Sequence, residues 1–286
     1  MIVGLVLIAG GAAAGVFGSL LGLGGGILIV PLLTLGFGRP LREAVAVSLV
    51  CVIVTSSAAA GAYLRGRVAN LRLGAVLALF TASGALVGAI VAFAIPERVL
   101  AGLFAALLTY VAYTMGRAGL RAARPATTAP ATTAPATTGA ASGGASMTVD
   151  AAAPAGRLDG PGYRVRRLVP ASIASLGAGV IAALLGVGGG VINVPTMNLL
   201  MGVPLRVATA TSNLMIGVTA VAPAIIYLLR GGLDPYIAGP TALGVFVGAS
   251  VGARVAHRID VRVLRLLFVV VLAWTAFQMA GRALAG

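Results

Sequence analysis

The sequence predicts an all-α integral membrane protein of about eight transmembrane helices, arranged as two homologous four-span repeats with glycine-broken first helices. Three observations predict it. First, 59% of the 286 residues are hydrophobic and only 9% are charged, against about 25% charged in a soluble domain. So few ionic groups cannot cover a water-facing surface, and lipid must be the solvent for most of it. Second, apolar runs of spanning length recur along the chain. Third, the two halves repeat one another at a fixed offset.

The repeat is gapless at an offset of 164 residues. Leu21-Gly22-Leu23-Gly24-Gly25-Gly26 falls on Leu185-Gly186-Val187-Gly188-Gly189-Gly190, and Pro31 on Pro195. Pro40-Leu41-Arg42 falls on Pro204-Leu205-Arg206, Ser48 on Ser212, and Tyr63-Leu64 on Tyr227-Leu228. From Gly15 to Leu64, 24 of 50 positions are identical, where biased composition alone gives roughly a tenth. A period of this size marks a duplicated unit.

Taken in order, the apolar runs of the first half cover 2–37, 43–64, 73–95 and 99–116. Those of the second half cover 168–201, 207–229, 236–256 and 263–281. Each is long enough to cross ~30 Å of hydrocarbon as a helix. The opening run is too long for one straight helix, because 36 residues reach roughly 54 Å. The triple glycine and the proline after it are the expected point of breakage. Residues 1–20 resemble a secretion leader in apolarity, but no basic segment precedes them. Gly15–Leu21 also has a counterpart deep in the chain, so a retained helix is expected.

The domains expected are a first transmembrane repeat over 1–124, a disordered linker over 125–160 and a second repeat over 161–286. Pro125 to Thr148 is a run of Ala-Thr-Thr-Ala-Pro followed by Gly, Ala and Ser. Such a segment cannot bury enough surface to offset its ordering entropy. Arg117, Arg121 and Arg124 before it, and Arg157, Arg164, Arg166 and Arg167 after it, place it in the cytoplasm. Orientation of the halves stays open. Four crossings each make the halves parallel and put Arg258, Arg262 and Arg265 outside, against the positive-inside rule. An even number of crossings by the glycine-broken run makes them inverted.

All 20 basic residues are Arg, and the net charge is +14. They sit in short gaps between apolar runs, so anionic lipid headgroups are the expected partner and nucleic acid is not. The one cysteine, Cys51, lies inside an apolar run with no ligand spacing around it. Neither a metal nor a cofactor is expected.

The paired glycine segments, Gly24, Gly25 and Gly26 with Gly188, Gly189 and Gly190, are the leading candidates for a binding site. Irregular backbone within a bilayer must line a cavity or pack on protein. A helix starting at Ile27 or Val191 would aim free N–H groups at an anion. Close helix packing is the plainer role for such glycines. Matched positions in both halves, each with Pro five residues after the last Gly, favour a site. The second paired element brings Ser48 in one copy, and Thr209, Thr211, Ser212 and Asn213 in the other. Hydroxyl and amide groups solvate an oxyanion without a buried charge, although Ser and Thr also bond their own helix. Asn193 and Asn198 make the second copy the more polar, so it is expected to contribute more to binding. Arg42 and Arg206 are expected to draw an anion to the site, or else to snorkel to headgroups. Tyr63 and Tyr227 read as interfacial anchors.

No Asp, Glu or His lies in the middle of an apolar run, so a carboxylate proton relay has no members. His257 sits at a run end with no nucleophile or second base in view. The glycines lack the Lys-Ser/Thr of a P-loop and the spacing of a dinucleotide fingerprint. An intramembrane enzyme is therefore disfavoured, and a non-transporting membrane scaffold or assembly protein stands as the alternative to a transporter.

At these residues the sequence resembles the sulfite exporter TauE/SafE family of membrane transporters. The resemblance rests on Leu21-Gly22-x-Gly24-Gly25-Gly26 with Pro31, on the duplicate with Pro195, and on Pro-Leu-Arg-x-Ala-x-x-x-Ser in both halves. It covers almost the whole chain outside Pro125–Thr148. It implies a duplicated helical transporter, in the plasma (inner) membrane, for small sulfur-containing anions such as sulfite or organosulfonates, with an oligomer possible. The first copy departs from the second in carrying Val45, Val47 and Leu49 where the second has Thr209, Thr211 and Asn213.

Overall fold

The computed structural model describes residues 2–21, 24–65, 69–122, 165, 167–255 and 261–285. The linker expected over 125–160, Gly22 and His257 lie outside the described residues. Every regular element among the described residues is helical.

The first half runs α1 (Ile2–Leu21), α2 (Gly26–Pro31), a π turn (Leu32–Gly36), α3 (Leu41–Arg65), α4 (Leu71–Ala94) and α5 (Glu97–Ala122). The second runs α6 (Leu168–Leu185), α7 (Gly190–Pro195), a π turn (Thr196–Leu200), α8 (Leu205–Leu229), α9 (Pro235–Val255) and α10 (Val261–Ala285). The long opening runs break at the glycines. Pro31 and Pro195 end the short helices and lead into the π turns, since proline has no N–H to give the preceding turn. The longer helices start where capping chemistry predicts. Asn70 accepts from the Leu73 amide at 3.1 Å, Asp234 accepts from the Tyr236 amide at 2.9 Å, and Pro204 stands before α8.

Among the described residues, four helices hold segments long and apolar enough to cross a membrane: Leu41–Ala58, Leu71–Ala94, Leu168–Leu185 and Val207–Leu229. Large apolar side chains such as Leu5, Leu79, Val169 and Phe277 point outward, each more than 65% exposed. A surface of this kind suits lipid rather than water.

Every long helix packs principally on the other half. α1 lies on α9, α4 on α6 and α8, α5 on α10, and α3 on α8 and α9. Glycine sets the closest approaches. A Cβ on Gly84 would run into the Leu176 carbonyl and one on Gly88 into that of Val180. The matching pair is Gly248 against Ala12 and Gly252 against Val16. Small residues at these points let helix backbones touch.

The same contacts fix direction. Gly84 and Gly88 meet Leu176 and Val180 in ascending order, so α4 and α6 run the same way. Asn70 and Gly74 meet Thr211 and Met215, so α8 shares that direction. α1 and α9 share a direction as well, since Ile8 and Ala12 face Gly244 and Gly248. α5 and α10 oppose one another, with Gly102 beside Ala283 and Gly116 beside Val269. Because α6 and α8 run the same way, the chain between them doubles back. On the first half, Gly25 lies against Ala14 and Leu32 against Gly10, so α2 and its π turn return along α1.

Candidate functional site

The two glycine breaks come together at the crossing of α3 and α8. Gly24 and Gly188 each face the side chains of Val52 and Ile216, which are themselves matched at the 164-residue offset. A Cβ on Gly26 would stand 2.5 Å from the Gly186 carbonyl and 2.7 Å from Ser48 Oγ. Gly24 and Gly25 have φ of 73° and 47°, and Gly188 and Gly189 have 75° and 53°. Only glycine holds that left-handed backbone without strain. The breaks are tight turns as well as openings. The Gly26 amide donates to the Gly24 carbonyl and the Gly190 amide to the Gly188 carbonyl, so the first amide of each short helix is spent locally.

The matched serines differ. Ser48 is fully buried, and its hydroxyl lies 2.6 Å from the Gly186 carbonyl and 3.1 Å from the Gly26 carbonyl. It ties α3 to both breaks. Ser212 is equally buried, yet its Oγ has no hydrogen-bond partner among the described residues. Ser212 lies one turn before Ile216, on the α8 face towards the breaks.

Asn193, on α7, is 1% exposed. Its Nδ2 donates to Thr81 Oγ1 of α4 at 3.4 Å, and its Oδ1 has no partner among the described residues. The Thr81 hydroxyl gives its own proton to the Leu77 carbonyl at 2.8 Å. It therefore meets Asn193 only as an acceptor, and that fixes which way the amide faces. Gly189 lies against Asn193, Thr81 and Ala182. Ser175 is on the same α6 face as Gly179 and Ala182, two turns earlier; it too is fully buried with an unpartnered Oγ. α7 and the following π turn pack along α6, and Met197 and Met201 share a cluster with Ala171. That register sets Ser175 within about a turn of Asn193 along α6. Three buried polar groups without partners among the described residues thus lie on α6, α7 and α8, and α7 packs on both of the other two.

The remaining candidates are placed differently. Thr211 Oγ1 accepts from the Asn70 amide at 3.0 Å and fastens α8 to the start of α4. Thr209 is half-buried and Asn213 buried, and both are engaged. The Asn213 carbonyl accepts from Ser56 Oγ. Asn198 donates to the Val203 carbonyl at 2.9 Å and closes the π turn. Arg42 is bound at the end of α4. Its guanidinium donates to the Ile95 carbonyl at 2.7 Å and lies 5.7 Å from the Phe93 ring centroid, with Arg230 over the same ring at 5.1 Å. It caps the end of α4. Arg206 is in the first turn of α8, and its side chain lies outside the described residues. Tyr227, expected at the interface, is fully buried and donates to the Ala183 carbonyl at 3.2 Å. No group of three His, Cys, Asp or Glu side chains assembles among the described residues.

Thr81 and Ser175 escaped the sequence reading. Each is a lone hydroxyl inside an apolar run, and Thr81 meets Asn193 only because α4 of one half packs on α6 of the other.

Residues 7–279 match the family described as Sulfite exporter TauE/SafE. Probable membrane transporter protein YunE of Bacillus subtilis (strain 168) is 25% identical over 283 residues, 96% of each chain. Probable membrane transporter protein MamO of Paramagnetospirillum magneticum (strain ATCC 700264 / AMB-1) is 27% identical over 293 residues, covering 97% of this chain but 44% of its own length. No solved structure matches. With lipid-suited helices and a family match over nearly its whole length, the chain is a multi-pass membrane protein that belongs to the sulfite exporter TauE/SafE family of membrane transporters.

Proposed function

We propose that the chain exports small sulfur-containing oxyanions, such as sulfite or an organosulfonate, from the cytoplasm across a plasma (inner) membrane. The observation that carries this is the set of unpartnered buried polar groups at Asn193, Ser212 and Ser175, beside a glycine break in an otherwise apolar interior. Each unmade hydrogen bond costs about 1–3 kcal/mol, so three on neighbouring elements support a ligand that completes them.

Helix directions support inverted repeats. α5 opposes its counterpart α10, so the axis relating the halves lies in the membrane plane. In this arrangement α1 with α2, and α6 with α7, enter and return to the face they started from, and α3–α5 and α8–α10 make three crossings in each half. By connectivity, one face then receives the α3–α4 junction, the end of α5, the linker, the start of α8 and the α9–α10 junction. Fifteen of the twenty arginines fall on that face; Arg39, Arg42, Arg98, Arg230 and Arg282 fall on the other. The positive-inside rule makes the arginine-rich face cytoplasmic and sets both termini outside. The tension over Arg258, Arg262 and Arg265 disappears.

The polar groups are one-sided. Ser175 is seven residues into α6, Ser212 seven into α8 and Thr81 ten into α4, all counted from the linker face. At 1.5 Å per residue these lie roughly 10–15 Å deep, on the cytoplasmic side of the midplane. The matched positions nearer the outer face are Ile29 and Val245, both fully buried in the apolar core, and Gly11 and Ser48. Polar groups nearer the cytoplasmic face suit export. The test is sulfite efflux from cells or oriented vesicles. Saturable efflux dependent on the protein supports the reading, and its absence with folded protein in the membrane refutes it.

A further inference from the structure

The pocket's chemistry also selects a charge state, and this inference rests on the transporter reading above. Among the described residues, no Arg or His side chain bonds to Ser175, Asn193 Oδ1 or Ser212. The described arginines stand at helix ends, and there is no Lys in the chain. Among the described residues these groups offer hydrogen bonds and no countercharge. The cost of moving an ion out of water rises with the square of its charge, so a dianion pays about four times what a monoanion pays.

The pairing pattern adds a second constraint. Ser175 and Ser212 have protons to give, which suits the oxygens of an oxyanion. Asn193 Oδ1 is the opposite, a buried acceptor with nothing donated to it. It cannot exchange places with Nδ2, because Thr81 has already given its proton to Leu77 and can only accept. A ligand made only of acceptors would leave Oδ1 unpaired and facing negative charge. A ligand with one O–H or N–H of its own would satisfy it.

We infer that the Asn193–Ser175–Ser212 pocket binds a singly charged oxyanion that carries a hydrogen-bond donor, and rejects dianions. Hydrogensulfite and hydroxyl-bearing sulfonates fit this description; fully ionised sulfite and sulfate do not. Thr81 is a positioning residue. By spending its proton elsewhere it orients the Asn193 amide.

The experiment is ligand-induced thermal stabilisation of the purified full-length protein, which reads affinity by mass action. The probes are 2-hydroxyethanesulfonate, ethanesulfonate, sulfate, and sulfite titrated through its second ionisation. The expected result is that 2-hydroxyethanesulfonate binds about tenfold more tightly than ethanesulfonate, the worth of one hydrogen bond to a buried acceptor. Sulfate is inert, and stabilisation by sulfite fades as pH rises and the monoanion is lost. Asn193→Leu, provided it folds, abolishes the preference for the hydroxyl. Asn193→Asp is a second variant of the same size, and it binds both sulfonates more weakly because it adds a negative charge. Sulfate binding as well as the monoanions, or sulfite binding tighter at high pH, overturns the inference and leaves the transporter reading intact. No stabilisation by any of the four, together with no sulfite efflux, overturns both.

Discussion

Ser48 and Ser212 occupy equivalent positions in the two repeats and should respond to alanine in opposite ways. The Ser48 hydroxyl holds two buried carbonyls, those of Gly186 and Gly26, with one proton. Ser48→Ala removes a bond worth about 1 kcal/mol net and leaves the nearer carbonyl unpaired, for a loss of about 2 kcal/mol in all. Ser212 makes no such bond. Ser212→Ala removes a buried hydroxyl that nothing in the fold satisfies, so stability should hold to within about 0.5 kcal/mol or rise slightly. Anion binding should move the other way, with Ser212→Ala weakening it about tenfold. Reversible unfolding of the detergent-solubilised protein gives the stabilities, and thermal shift with sulfite near neutral pH gives the affinities. Equal destabilisation by both alanines would refute the reasoning, because the two hydroxyls would then be doing the same job.

Other outcomes follow from the same geometry. Gly248→Leu should cost about 3 kcal/mol or prevent assembly, because its Cβ enters the Ala12 backbone. Gly177→Ala has open space around it and should be neutral or stabilising by up to about 1 kcal/mol; expression and unfolding measurements compare the two. Arg42→Leu should destabilise by about 2 kcal/mol through the orphaned Ile95 carbonyl, while saturable efflux by the protein that folds persists. For topology, Tyr236→Cys, 89% exposed next to the Asp234 cap, should react with an impermeant maleimide added to intact cells. Ser142→Cys in the linker should react only after permeabilisation. Cys51 is fully buried and should stay silent in both.

Much of the fold is legible in the sequence because its constraints are steric. Gly24 and Gly188 must be glycine to hold positive φ against Val52 and Ile216, and that necessity printed itself twice, 164 residues apart. The break in the opening run was legible for the same reason. Orientation was not, because hydropathy measures how much of a segment is apolar and not whether it returns. It took the contacts of Gly102 with Ala283 and of Gly116 with Val269 to show α5 opposed to α10. At the site, Asn193 and Ser212 were legible as polar residues in an apolar run. Ser48 looked equivalent to Ser212 in sequence, and only the carbonyls around it show that its hydroxyl is committed. Arg42 was legible as a matched cation, but its partner carbonyl lies 53 positions away.

The most direct measurement is the initial rate of sulfite movement across proteoliposomes, compared for the unaltered protein and Asn193→Leu at equal amounts of folded protein. A saturable flux is expected that falls at least about tenfold in the variant, the effect of one lost hydrogen bond at a buried site. Equal flux from both proteins would contradict it.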